Sequence, residues 1–377
     1  MRRAQAEGGA ATAPYARFLV SWATAFVVTF VAIWLYVATC PMAFLDRDYP
    51  LWRAKRAMLD QCRAGTVAVF GDSRAVAGIM PGVMPLRVTN FALSGTSPIE
   101  TYFAVRRALR CPTPPRLVVI AHGALKFSAD ADYWRFGART GFFRYDDMRR
   151  VDGDAARLHD DGIERLTADD HLQPWLRDRL YAVRLPMFYF SSLLHGYVAA
   201  RWRHNLAAEE DALQSYGHAL FGTAAGSSGI ASEAGVDEFR ASSLINLYYT
   251  RTLAMLQARH VAVVVLTMPV NQATYMQSQP QFRGQFAAYL HAEAASFDNV
   301  NLSASAIGCW PDAYYGDAWH FNAVGAAVFS RAFGVFLVRL LHGEPAEAPL
   351  HRCVEVPQDR GMPPGRAGRD GVPVRNG

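Results

Sequence analysis

Lysine is nearly absent from this 377-residue chain: Lys55 and Lys126 are the only two, and the basic residues behind its net charge of +5 are spread out without a Lys/Arg-rich block. A nucleic-acid partner leaves a clustered basic footprint, so none is expected. The five cysteines, Cys40, Cys62, Cys111, Cys309 and Cys353, form no C-x-x-C and show no Cys/His spacing typical of zinc. A structural metal is therefore not expected. Charged residues make up only 19% of the chain against 51% hydrophobic, too apolar for a disordered protein and slightly rich for a soluble enzyme. No internal repeat recurs.

Part of the apolar excess sits in one run. Phe18 to Thr39, FLVSWATAFVVTFVAIWLYVAT, passes without a charge, and as a helix it extends about 33 Å, enough to span a bilayer. Arg2, Arg3 and Arg17 precede it against Glu7, so the positive-inside rule places residues 1–17 in the cytoplasm and everything after Pro41 outside. The competing reading is a cleaved signal peptide, but the run exceeds a usual signal core of about 7 to 15 residues and no clean Ala-x-Ala site follows. Mild basicity suits an anionic neighbour, membrane or polysaccharide alike. In an oxidising compartment the last four cysteines can form two disulfides. Cys62 precedes the first expected strand and Cys111 ends the helix leading to the strand beside it, which makes Cys62–Cys111 the pairing to test.

Residues 40–65 read as a linker and helix lifting a domain off the membrane. From there, short apolar runs predict strands at Thr66 to Phe70, Arg87 to Ala92, Arg116 to Ala121, Val261 to Met268 and Asn299 to Ser303. Near-continuous apolar character at this length indicates strands buried on both faces. Helical segments lie between them: PIETYFAVRRALR after the second run, SSLLHGYVAARWRHNLAAEEDAL before the fourth and PQFRGQFAAYLHAEAAS before the fifth. The alternation predicts a parallel α/β sheet of about five strands flanked by helices. A last helix from Asn322 to Gly343 is apolar enough to resemble a second span, but Arg331 and Arg339 favour a packed core helix. The stretch of about 126–243 is too long for a simple crossover and reads as a largely helical insertion, with DYWRFGARTGFFRYDD and LPMFYFSSLLHGYV as a lid, a partner surface or core. The domain is expected over 66–343, with a disordered tail over 344–377.

Ser73, in VAVFGDSRAVAGI, stands at the carboxyl end of the first strand as a helix opens. Open α/β sheets place their ligands there, and the helix terminus supports a developing negative charge. Gly-Asp-Ser alone turns up by chance in about one chain in ten of this length, so the remaining machinery has to be found. A serine nucleophile needs a base, and the base needs orienting. In YYGDAWHFNAVG, Asp317 stands three residues before His320 in the loop entering the last helix, which returns to the same sheet edge. Gly95, in VTNFALSGTSP after the second strand, lies in a turn whose N–H can point into that site; a plain strand-to-helix turn is the alternative. Arg74 either contacts an anionic substrate or pairs with a nearby acid.

Ser73 in GDSR, Gly95 in NFALSG and Asp317 with His320 in DAWHFNAVG resemble, in that order, the SGNH/GDSL hydrolase superfamily over about Val67 to Leu341. The resemblance implies a flavodoxin-like sheet, a Ser-His-Asp triad and no cofactor. It departs at the third block, where the superfamily places a Gly-x-Asn-Asp motif whose Asn completes the oxyanion hole and this chain has IAHGALKFS. His122 there is either a substitute donor or a hydrogen-bonded strand-end histidine. LTMPVNQATY, with Pro269, Val270 and Asn271, is similar to the Pro-x-Asn segment of the D-alanyl lipoteichoic acid transfer proteins and related polysaccharide O-acetylation proteins. That likeness implies a single-pass inner-membrane protein with a periplasmic domain, a glycan acceptor and a membrane-bound O-acyltransferase as partner, with Asn271 as a polar contact, part of the acceptor site or only a turn.

Three functions follow from these residues. The first is transfer of an acyl group, acetyl being the leading candidate, through an acyl-Ser73 to a polysaccharide hydroxyl. The second is hydrolysis of such esters by the same triad, the difference lying in how the site excludes water. The third is a non-catalytic adaptor that docks a membrane acyltransferase or binds glycan.

Overall fold

The computed structural model describes residues 8–43, 48–138, 140–163, 200–227, 229–232, 236–302 and 306–353. An N-terminal apolar helix, α1 (Gly8–Thr39), leaves large apolar side chains exposed, Phe18, Trp22 and Phe26 each by more than 60%. It is long and apolar enough to cross a membrane.

The sheet has five parallel strands, β1 (Val67–Gly71), β2 (Val88–Asn90), β3 (Leu117–Ala121), β4 (Ala262–Leu266) and β6 (Val300–Leu302), in the order β2-β1-β3-β4-β6. In register, Val67 lies opposite both Val88 and Leu117, and Leu117 opposite Ala262. This is the flavodoxin-like order expected from the sequence, with its site at the carboxyl edge. Alternate residues face two cores. Ala68 and Phe70 pack toward α4 (Pro98–Ala108) and α7 (Ser243–Gln257), while Val67 and Val69 pack toward α3 (Ser73–Gly78) and α10 (Ala323–Leu341). Every residue of β1 and β3 is buried, the physical meaning of their unbroken apolar runs. α10 is a core helix, with Phe329, Phe333 and Leu337 at 0% exposure. A separate parallel pair, β5 (Val270–Asn271) with β7 (Cys309–Trp310), extends the architecture beside the carboxyl edge.

Three expectations change. The supposed linker contains α2 (Asp48–Asp60), which is part of the domain: Leu51, Trp52, Met58 and Leu59 are buried and Lys55 donates to the Ala92 carbonyl from within the core. The helix leading into β4 is α7, whose Ser242 cap accepts from the Ile245 N–H. The segment predicted for that role forms α6 (Arg201–Gln214), which lies along α2 through Arg53 and Glu209, 3.0 Å apart. Its expected first residues, and all of LPMFYFSSLLHGYV, lie outside the described residues. Disorder from residue 344 does not hold through Cys353: Leu350 is buried, Trp310 Nε1 donates to the Pro349 carbonyl and Cys353 is bonded to Cys309. The remaining tail is outside the described residues. The predicted Cys62–Cys111 disulfide is present. The insertion contributes α5 (Tyr145–Leu158), and Tyr133, Phe136, Phe142 and Phe143 from its DYWRFGARTGFFRYDD segment are core residues.

Candidate active site

β1 ends at Gly71, and Asp72 caps α3 by accepting from the Arg74 N–H at 2.9 Å. Its second carboxylate oxygen accepts from the Gly123 N–H at 2.7 Å, so one side chain ties the serine turn to the end of β3. Asn90 supports the turn from β2, its amide donating to the Ala75 and Ile79 carbonyls at 2.8 Å each. Ser73, the first residue of α3, is thereby fixed at the sheet edge.

The opposite wall comes from the loop before α10. Asn322 caps that helix through Gly325 N–H and donates to the Ala313 carbonyl, closing the loop on itself. Within it, Asp317 accepts from the Trp319 and His320 N–H groups, both at 2.7 Å. Its carboxylate lies 2.9 Å from His320 Nδ1, and His320 Nε2 lies 2.9 Å from Ser73 Oγ. An ionised carboxylate only accepts, so Nδ1 carries the proton and Nε2 is free to accept from the serine hydroxyl. Burial pushes the Asp317 carboxyl up, but the hydrogen bond and charge of His320, joined by the two N–H donors, outweigh it and hold its pKa below the ordinary range.

A third segment, unrecognised in the sequence, braces the histidine. The Phe221 ring lies 4.9 Å from the His320 ring, centroid to centroid, and Gly222 approaches Gly316 so closely that a Cβ on Gly222 would stand 2.5 Å from the Gly316 carbonyl carbon. Two glycines facing each other across two loops were the available signal.

Ser73 and His320 open on a cleft of about 750 Å³ whose other walls include Gly95, Lys126, Asp132 and Phe136. Gly95 has φ +72°, and a Cβ there would stand 2.3 Å from the Phe136 ring, so both backbone and space require glycine. The Ser73 and Gly95 N–H groups donate to nothing among the described residues. Arg74 is buried, and its guanidinium stacks 5.1 Å over the half-exposed Trp319 ring. One guanidinium nitrogen is 3.1 Å from where a side chain on Gly123 would begin.

Two expected contributors do not reach the cleft. His122 is 1% exposed, shares a hydrogen bond of 2.8 Å with Thr101 Oγ1 and is lowered by burial to a pKa of about 4; it is a neutral core histidine rather than a donor to substrate. Asn271 is 0% exposed, its oxygen capping α8 (Gln272–Gln277) at Thr274 N–H and its amide donating to Ser227 Oγ and the Ile230 carbonyl. With all its polar capacity used internally, it serves the turn after β5.

Fold and site together define a class: a parallel α/β domain carrying a hydrogen-bonded Ser-His-Asp relay at the carboxyl edge of its sheet. No family model matches the chain, and no curated protein matches it. Among solved structures, one from Streptococcus pneumonia, described as "a putative platelet activating factor", aligns over 80% of this chain and 94% of its own at 9% identity, with a TM-score of 0.32. A likeness of that degree bears no weight for fold or activity.

Proposed function

We propose that this chain is an SGNH-type O-acyltransferase, anchored by α1, that moves an acyl group, acetyl first among the candidates, onto a hydroxyl of an envelope or exported polysaccharide. The carrying observation is the Ser73–His320–Asp317 relay, with both links at 2.9 Å. Ser73 Oγ attacks the carbonyl carbon of an ester or thioester donor while His320 Nε2 takes its proton. The tetrahedral oxyanion is met by the Ser73 and Gly95 N–H groups, with the Arg74 guanidinium in place of the asparagine that the third block lacks. Collapse expels the donor alkoxide or thiolate with the proton from His320 and leaves an acyl-serine. The acceptor hydroxyl then attacks that ester, His320 takes its proton, and Ser73 leaves with it.

Two further observations support an extracytoplasmic setting beside a membrane. The two disulfides suit an oxidising compartment. The start of α2, nearest the anchor in sequence, lies beside the catalytic edge, since Trp52 stacks 6.2 Å from Phe136 of the cleft. A membrane-embedded acyltransferase passing acyl groups to Ser73 fits that placement.

The test uses the full-length chain in detergent with a fluorophosphonate probe, then an activated acetyl ester with and without oligosaccharide. Labelling of Ser73 and Ser73-dependent acetylation of sugar hydroxyls are expected. Acetate release with no sugar product at any acceptor concentration replaces transfer with hydrolysis. Polysaccharide acylation that persists in Ser73→Ala cells replaces both with an adaptor role.

A further inference from the structure

A second cavity, of about 550 Å³, lies where α2, α4 and α5 meet, and six arginines line it: Arg56, Arg106, Arg107, Arg110, Arg144 and Arg150. It shares no lining residue with the acyl-transfer cleft. The Cys62–Cys111 disulfide in its wall sits just before β1 and between α4 and β3, at the amino edge of the sheet, whereas Ser73 is at the carboxyl edge.

The protein's own acids do not exhaust these guanidiniums. Among the described residues Asp60, Asp146 and Asp147 are the carboxylates in the lining, three against six arginines. Asp147 is committed to Arg106 at 2.7 Å and to the Arg144 N–H at 3.1 Å. Arg56 lies 3.7 Å from Asp60 and donates to the Gly141 carbonyl, while Arg107 is held by backbone, donating to the Phe142 carbonyl and packing 4.5 Å from the Phe142 ring. Arg106 Nε and Arg107 Nη1 are buried without an acceptor among the described residues. Burial, with the Arg56 charge adding to it, lowers the pKa of Arg107. Like charges pressed together at this density cost stability unless an anion joins them.

From this geometry we infer that the arginine cavity binds a multiply charged phosphate group, a pyrophosphate or phosphate ester. Planar guanidinium forks match phosphate oxygens two at a time, and a volume within the ordinary range for small-ligand sites admits more than a single ion. The disulfide and the two backbone-held arginines pre-position the donors, so little ordering is needed on binding. The inference is independent of the chemistry at Ser73.

The test uses the full-length chain in phosphatidylcholine nanodiscs, titrated calorimetrically with sodium pyrophosphate, and co-sedimentation with vesicles containing phosphatidic acid, whose phosphomonoester headgroup can carry two charges. Arg110→Glu and Arg150→Glu change exposed rim residues and, by relieving the crowded like charges, should leave unliganded thermal stability no lower than that of the wild type. Saturable pyrophosphate binding is expected, weakened about tenfold or more in each variant. With that binding in hand, vesicle capture that pyrophosphate competes away identifies a lipid headgroup as the source of phosphate, and no capture identifies a soluble phosphate ester. Absence of saturable pyrophosphate binding, or undiminished binding in both variants, overturns the site.

Discussion

Gly222→Ala is the perturbation that tests the catalytic geometry without touching the relay. The added Cβ would stand 2.5 Å from the Gly316 carbonyl carbon and 2.8 Å from Asp317 N, about 0.9 Å short of the 3.4 Å at which ordinary contact begins. Both obstacles are backbone, so no side chain can swing aside. If the Gly316–Asp317 backbone yields, the carboxylate that orients His320 moves with it. If residues 221–222 yield, Phe221 withdraws from the His320 ring. Either route displaces the imidazole by a large fraction of 1 Å, and a 1 Å misplacement costs about 10²-fold in rate. Overpacking of this kind costs roughly 1–3 kcal/mol of stability, leaving the fold intact. The measurement is kcat and KM for a small activated ester beside a thermal melt, with Gly226→Ala, whose nearest neighbour would be an ordinary 3.6 Å away, as control. A fall in kcat of about 10²-fold with a folded protein is expected. Retention of more than about a third of wild-type kcat refutes the reasoning.

Arg74→Lys keeps a charge but loses the planar fork; it should lower kcat by about 10-fold to 10²-fold with little change in KM for a small ester, a pattern that a purely structural arginine does not produce. His122 stays neutral in the fold because burial, against the opposing Asp72 charge, lowers its pKa to about 4 from 6.5. Its contribution is therefore complete above about pH 6.5 and is lost as pH falls toward 4, by up to about 3 kcal/mol relative to His122→Gln in denaturant titrations. The comparison with the variant matters because buried Asp130, raised to about 6, acts with the opposite sign over an overlapping range. Replacing Cys62 and Cys111 by serine opens a loop of 49 residues' separation and should cost about 4 kcal/mol in guanidinium unfolding; a loss below about 1 kcal/mol contradicts the assignment. Trp319→Ala removes the ring stacked on Arg74 and should lower kcat for a small ester about threefold to tenfold; an unchanged kcat shows that the ring does not hold the guanidinium in place.

The sheet and the relay were legible because both rest on local patterns. Unbroken apolar pentads such as VAVFG and LVVIA mark strands covered on both faces, and Asp-x-x-His next to a helix cap places acid and base in one loop. What escaped depends on contacts between distant segments. α2 looks like a charged linker because Lys55 and its neighbouring arginines dominate its polar face, and only the fold shows the lysine's ammonium reaching a backbone carbonyl in the core. The brace at Phe221 and Gly222 falls in a stretch without periodicity, so its role appears only against Gly316. Residues 344–353 have the composition of a tail, yet a single covalent bond at Cys353 outweighs composition.

The departure at the third block has a physical complement three positions after Gly71, at Arg74. Because Gly123 has no side chain, the space beside the end of β3 is open, and the Arg74 guanidinium occupies it, within 3.1 Å of the missing Cβ. Its N–H, meanwhile, is taken by Asp72 and not available to an oxyanion. A Cβ at residue 123 would stand 3.1 Å from Arg74 Nη1 and 3.2 Å from an Asp72 carboxylate oxygen, so a side chain there would crowd both, and GDSR and HGAL pack as one arrangement. The arginine brings a full charge to the end of β3 beside Ser73. The stacked Trp319 ring holds that charge against the cleft wall, where it strengthens attraction to a developing oxyanion and to anionic groups flanking the reacting carbonyl. The full charge at Arg74 therefore suits a donor or acceptor carrying negative charge.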